Sequence, residues 1–384
     1  MPPLCLESAL SADTGSQSRG RLLSALLARG GSCDYNTDRS MDAGSKLKAE
    51  VMPTHTPALF DAAVARATEL LRAGGLVALP TETVYGLAAN ALDARAVARI
   101  FEIKGRPAHN PVIVHVASVD MARRIVADWP SLAEQLATSC WPGPLTLVLP
   151  RSRAIPDIVT AGGTTIAVRW PSHPFIQAVI RVCDFPLAAP SANLSGRISP
   201  TTAQHVLTGL GDKIDLIIDG GPSQVGLEST VLDLTISPPR VLRPGIIPAE
   251  SLSAVVGEVR RAEQEVRNDA LLRSPGLLPR HYAPQGKLVV LAWRDESDLH
   301  RQLTACNMRP ATTQVIAYRH IPSGKGLGGV SVIPDDSNAF ARALYAELHR
   351  CDEEGAQFIV VEAVPETAEW QAVNDRLRRA AATT

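Results

Sequence analysis

The apolar positions of this chain switch between helical stripes and short unbroken runs, and the switching begins at Thr56. Thr56-Pro57 offers an N-cap followed by proline at the first helical position. Leu59, Ala63, Ala67, Leu70 and Leu71 then line one helical face as far as Gly74-Gly75. Residues 76–79 form an apolar run that ends at Pro80 and delivers a polar loop, 81–86. Asp93 caps a second helix, with Val97, Ile100 and Phe101 inward, that stops at Lys104-Gly105. Residues 111–116 are apolar on both faces, as in a strand buried at the centre of an α/β sheet. That strand nevertheless contains His115, and its entrance carries Lys104, Arg106 and Asn110.

Further strands are expected at 145–149, 164–169, 187–189, 216–219, 229–234 and 241–243, and helices at 174–182 and 201–207. Several strands follow one another through short turns, which predicts an open, twisted mixed sheet with flanking helices. From about 248 to 284 the periodicity is lost in a charged stretch and then a proline-rich one. A second α/β unit follows, with strands at 287–292, 314–318 and 358–361 and helices near Asp298 and over 338–350. The expected division is a disordered tail (1–55), a first α/β domain (56–247), a linker (248–285) and a smaller second α/β domain (286–384).

The tail is rich in Ser, Gly, Ala and Arg, and only 22–28 looks briefly helical. It lacks the apolar stretch of a cleavable signal, and Glu7, Asp13, Asp34, Asp38, Asp42 and Glu50 count against a transit peptide. Met52 is a candidate true start.

Composition removes several function classes. A formal net charge of -1 gives no global pull toward nucleic acid or an anionic membrane. The six cysteines are scattered without CxxC spacing, which fits a reducing cytoplasm and argues against a disulfide framework or cysteine-rich zinc site. No apolar run approaches the roughly 20 residues of a membrane helix. A phosphate loop, HExxH and GxSxG are all missing from the sequence. Gly324-Lys325-Gly326-Leu327-Gly328-Gly329 matches GxGxxG, but a strand-like run follows it where the dinucleotide fingerprint needs a helix, so it reads as a hairpin loop.

What remains is a set of polar residues at strand ends: Thr83, Lys104, Arg106, Asn110, His115, Arg169, Ser191 and Ser229. Each alone reads as a turn, cap or core residue. Together they offer hydroxyls and cations with no acid pair and no metal cluster. Such a site suits positioning and charge neutralisation, the demand of phosphoryl or nucleotidyl transfer.

The motifs that contain these residues are PTETVYGL (80–87), KGRPAHNPVIVHV (104–116), WPGPLTLVL (141–149), VRWPSHP (168–174), APSANLSG (189–196) and GLESTVLDL (226–234). In that order and spacing the first domain resembles the YrdC-like family. SPGLLPRHYAP (274–284) and the second domain resemble its long form, the Sua-type threonylcarbamoyl-AMP synthases. Leu277, Leu278 and Pro279 depart from the family's usual linker, where methionine and an aromatic stand.

The resemblance implies condensation of L-threonine, bicarbonate and ATP to threonylcarbamoyl-adenylate, a nucleotidyl transfer that serves modification of the tRNA anticodon loop. It implies a threonine pocket of Thr83, His115, Arg169, Ala189 and Ser229. It implies an ATP site of Lys104, Arg106, Asn110, Thr165, Ser191, Ser199, Arg243 and Tyr282, with Lys104 and Arg106 as catalytic cations. Magnesium would come with ATP, held by no protein cage, and no organic cofactor is implied. The implied partners are a downstream tRNA threonylcarbamoyl transferase and, weakly, tRNA. Tyr282 would be a lid, so that its loss weakens ATP binding while melting barely changes. The second domain would dock through the linker and shape access, without chemistry of its own. Two alternatives are a carbamoyl-transferring maturation factor, which needs zinc-finger cysteines absent here, and an RNA-binding module, which needs a basic stripe with interleaved aromatics.

Overall fold

The first described element is one that the apolar pattern does not announce. The structure, a computed structural model, describes residues 49–261 and 281–382. In chain order the strands of its larger sheet are β1 (Glu50–Pro53), β2 (Val77–Leu79), β3 (Gly86–Asn90), β4 (Ile113–His115), β5 (Leu145–Pro150) and β6 (Thr165–Arg169). They continue with β7 (Leu187–Ala188), β8 (Leu216–Asp219), β9 (Thr230–Asp233), β10 (Arg240–Arg243) and β11 (Arg260–Arg261). Their spatial order is β1-β8-β2-β3-β7-β4-β6-β5-β9-β10-β11. β4 runs parallel to β6 and antiparallel to β7, so the sheet is mixed, as the short connections require.

β1 corrects the expected tail boundary. Met52 lies inside it, paired with Ile218 of β8, so ordered chain starts before Thr56. The strand sits at the sheet edge with Glu50 and Val51 exposed, and backbone hydrogen bonds rather than apolar alternation hold it. Most of the remaining tail, and the Leu277-Leu278-Pro279 departure, lie outside the described residues.

The helices follow the capping signals. The Thr56 hydroxyl accepts from the Leu59 amide, and the Asp93 carboxylate accepts from the Arg95 and Ala96 amides. Pro57–Arg72 and Pro174–Cys183 pack together, Phe60 meeting Phe175 edge-on at 5.2 Å between ring centres. Two helices went unread, Val119–Ile125 and Ser131–Cys140. A third, Ala249–Val256, lies in the span expected as linker and buries Leu252 in the first domain's core.

The second sheet contains β12 (Lys287–Leu291), β13 (Thr313–Ala317), β14 (Gly329–Val332) and β15 (Phe358–Glu362), in the order β12-β15-β13-β14, all parallel. The glycine-rich 324–329 segment does lead into a strand. However, β14 runs parallel to β13, so the segment belongs to a crossover and not to a hairpin.

The two domains share apolar packing. Val84, Ile198 and Leu227 of the first join one cluster with Phe340, Leu344 and Tyr345 of the second. Gly226 permits this approach: a Cβ there would lie 2.5 Å from the Arg342 Cα on helix Ser337–Glu353. A chain beginning at Met52 loses the Ala49 and Glu50 amide bonds to Gly211 and Asp215 and half the register of β1. Its melting temperature should fall by roughly 3 °C or more relative to the full chain. Equal melting curves for the two chains would show that β1 is dispensable.

Candidate functional site

β4 and β6 end side by side, which sets His115 opposite Arg169. Ile113 and His115, two residues apart, face the same side of the sheet and line a small, partly open cavity. Thr83, Arg106, Arg169, Ala189, Ser191, Ser229, Arg243 and Tyr282 also line it. These are most of the residues singled out by sequence, and the fold brings them together from strand ends and from the loops that hold Arg106 and Tyr282.

Four of the sequence-predicted residues do not line the cavity. Lys104 is buried behind it, its ammonium donating to the carbonyls of Ser191 and Asn193. Burial, and then Arg106, push that ammonium's pKa well below its ordinary value. Asn110 is buried as the partner of Arg106, whose guanidinium donates to the Asn110 carbonyl at 2.9 Å, the Asn110 side chain at 2.8 Å and the Pro111 carbonyl at 2.6 Å. Ser199 is fully buried and donates to Glu228 at 2.6 Å. Thr165 opens β6, four residues and so about 13 Å before Arg169.

At one end of the cavity, Thr81 donates to the Val84 carbonyl at 2.6 Å, which leaves Thr83 to donate to Thr81. Arg169 then donates to Thr83 at 2.9 Å and pairs with Glu82 at 2.8 Å. His115 responds electrostatically to Arg169 and Glu82. At the other end, Arg106 responds to Tyr282 and Arg243, and Arg243 donates twice to the Ser229 carbonyl. The site therefore has two cationic centres. His115 Nδ1, His281 Nδ1 and the Tyr282 hydroxyl are buried in it without hydrogen-bond partners among the described residues, which points to a ligand that supplies them.

The expectation is of hydroxyls and cations with no acid pair, and two single acids stand among them. Glu82 and Glu228 are both buried, each paired with an arginine instead of with each other. Their signal was present, since both lie inside quoted motifs, but a glutamate in a turn looks like any solvated one. The second domain also supplies more than closure: Tyr345 and Arg376 bond directly to Glu228.

Tyr282 differs from a simple lid. It is fully buried in the left-handed region (φ 62), with its ring against His281 at 4.0 Å, Tyr345 at 5.8 Å and the Arg376 guanidinium at 5.1 Å. Removing a ring so packed typically costs about 3–5 kcal/mol, so the expectation of an unchanged melting curve does not hold.

Comparison with known proteins accords with this geometry. The family described as Telomere recombination matches residues 69–245, and that described as Threonylcarbamoyl-AMP synthase, C-terminal domain, matches 247–382. The threonylcarbamoyl-AMP synthase of Pyrococcus abyssi is 42% identical over 326 residues, covering 82% of this chain and 92% of the relative. The chain belongs to the threonylcarbamoyl-AMP synthase family. The Bacillus subtilis member is 38% identical over 339 residues, covering 84% of this chain and 93% of its own. The structure of Pyrococcus abyssi Sua5 complexed with L-threonine superposes with a TM-score of 0.77 at 41% identity, covering 83% of this chain and 94% of that one. A double-alanine variant of the same protein gives 0.79 at 38% identity, over 87% and 96%.

Two predictions follow from the buried charges. Glu82→Gln strands the Arg169 guanidinium without its counter-ion and should destabilise the fold by about 3 kcal/mol in denaturant unfolding. A loss under about 0.5 kcal/mol would show that Arg169 is supported elsewhere.

The second concerns acid. Burial, aided by Arg169, lowers His115 to about 3, and burial is also the main cause that brings His281 to about 3. Burial alone would raise Glu228, but Arg376 and then Arg243 hold it at about 2. The unfolded chain protonates these histidines near 6.5 while the folded one does not, so stability falls as pH drops from about 6.5 toward 3. Glu228 adds a loss from about 4.5 toward 2. Melting temperature should decline between pH 7 and pH 4.5, and less steeply in His115→Gln; parallel slopes would remove His115 from the effect.

Proposed function

We infer that this chain is an L-threonylcarbamoyladenylate synthase, a nucleotidyltransferase that condenses L-threonine, bicarbonate and ATP and releases diphosphate. The product serves threonylcarbamoyladenosine modification of tRNA. The observation that carries the reading is the cavity itself, which gathers Arg169 at one end and Arg106 with Arg243 at the other, beside two imidazoles whose Nδ1 atoms have no hydrogen-bond partner among the described residues.

The Thr83–His115–Arg169 end takes threonine. Arg169 is held by Glu82 and Thr83 in a fixed orientation, suited to a carboxylate, and His115 offers Nδ1 from the cavity floor. Threonine's amine takes up the bicarbonate carbon as a carbamate, with loss of water. A carbamate oxygen then attacks the α-phosphorus of ATP and diphosphate departs. Two anions must meet for that step. Arg106 and Arg243 accomplish the neutralisation, and the acceptors of Arg106 are two carbonyls and the Asn110 side chain, which satisfy hydrogen bonds without cancelling charge. Lys104 acts one layer back, holding the 191–193 loop against the nucleotide. Enclosure of the cavity excludes water from the labile adenylate.

Magnesium fits as a companion of ATP. No group of three ligating side chains occurs among the described residues, and both oxygens of Glu228 are taken by Ser199, Tyr345 and Arg376. The phosphates would then hold it, and the ion would supply further charge neutralisation. Bicarbonate and a downstream tRNA threonylcarbamoyl transferase belong to the same proposal. No helix among the described residues is long and apolar enough to cross a membrane.

Diphosphate release should require threonine, bicarbonate and ATP together. In Arg106→Ala, assayed well below its melting temperature, the rate should fall at least about tenfold, equivalent to about 1.4 kcal/mol of transition-state stabilisation. Diphosphate release without threonine, or at the wild-type rate in the variant, would overturn the assignment.

A further inference from the structure

The helix Gln371–Ala381 reaches the cavity wall through one side chain, Arg376, which is fully buried. Its Nε donates to Glu228 Oε2 at 2.8 Å, and its Nη1 donates to the Pro244 carbonyl at 3.0 Å and to Asp375 Oδ2 at 2.7 Å. Glu228 precedes β9 and Pro244 follows β10, which is antiparallel to β9. Arg376 therefore bridges the open end of that hairpin. The residues next to its two anchors are Ser229 and Arg243, which line the cavity and bond to each other. The same guanidinium lies against the Tyr282 ring.

Adhesion between the domains does not need this charge. Apolar side chains already join them, and well-packed apolar residues in place of a buried ion pair commonly stabilise as well or better. What a planar fork adds is direction: it fixes a carboxylate and a carbonyl at set angles at once. Glu228 reinforces the point by accepting also from Ser199 of the first domain and Tyr345 of the second. Its low pKa keeps it an acceptor across the working range.

We propose that Arg376 is a positioning residue for the nucleotide end of the cavity, a part of the ATP site supplied by the C-terminal domain. By clamping Glu228 and Pro244 it sets Arg243 and the Tyr282 ring in the arrangement that the phosphates and nucleoside require. The proposal rests on the assignment of that end to ATP.

Arg376→Lys in the full chain tests it, since lysine keeps the charge beside Glu228 and loses the fork. Melting temperature should change by only a few degrees. The dissociation constant for ATP, from calorimetric titration, should rise at least about tenfold, while KM for threonine changes less than about threefold. The double variant Glu228→Gln with Arg376→Met removes both charges at similar volume. It should regain the stability lost in Arg376→Met alone and still bind ATP at least about tenfold more weakly than wild type. Wild-type ATP affinity in either variant overturns the proposal. So does an equal loss for ATP and threonine, or an Arg376→Lys chain that fails to fold, because the arginine's role is then the fold itself. Wild-type protein that binds no ATP would instead fall on the assignment of the cavity.

Discussion

Buried guanidinium groups set the terms for this structure. Arg106, Arg169, Arg243 and Arg376 are all nearly or wholly removed from solvent, and a desolvated cation persists only where its surroundings supply acceptors in the right places. The acceptors differ in a way that decides function. Arg106 has the Asn110 side chain and two backbone carbonyls, and two donors of Arg243 go to the Ser229 carbonyl. The acceptors of Arg106 are neutral, so its positive potential survives at the cavity, whereas Arg243 also feels Glu228. Arg169 and Arg376 pair with Glu82 and Glu228, which fixes the direction of each guanidinium.

The arrangement explains why the site is assembled from so many loops. A hydroxyl or carbonyl that meets a guanidinium at hydrogen-bond distance must be fixed to within a fraction of an ångström. Strand ends of one sheet provide that rigidity, and the short loops beyond them are tied down by local bonds. Thr81 closes the 81–84 turn, Tyr85 bonds across to Gly221, and Lys104 pins the 191–193 loop. Each tie sets a backbone segment that lines the cavity.

The two domains are continuous at the site, although they have separate sheets. A shared apolar cluster brings helix Ser337–Glu353 against the 226–228 segment, and only glycine at 226 admits that approach. The polar contacts of Tyr345 and Arg376 sit beside this cluster, where the surrounding apolar packing strengthens them. Closure of the cavity and cohesion of the domains are thus one set of contacts.

The amino-acid sequence by itself determined the elements whose signals are local. N-caps at Thr56 and Asp93, the apolar stripe of the first helix and the unbroken run at 111–116 were legible because they arise within one or two turns of chain. The ordered motifs also sufficed for the family and for most residues that line the cavity. What only the tertiary structure decided are the pairings between distant positions. β1 escaped notice because an exposed edge strand has no apolar alternation to show. Ser199, Asn110 and Lys104 moved one layer back, because a motif names a neighbourhood and not the direction in which a side chain points. Glu228 and Arg376 lie 148 residues apart, and neither is distinguishable in sequence from a solvated charge. Burial gives those two residues their meaning, and burial is a property of the whole fold.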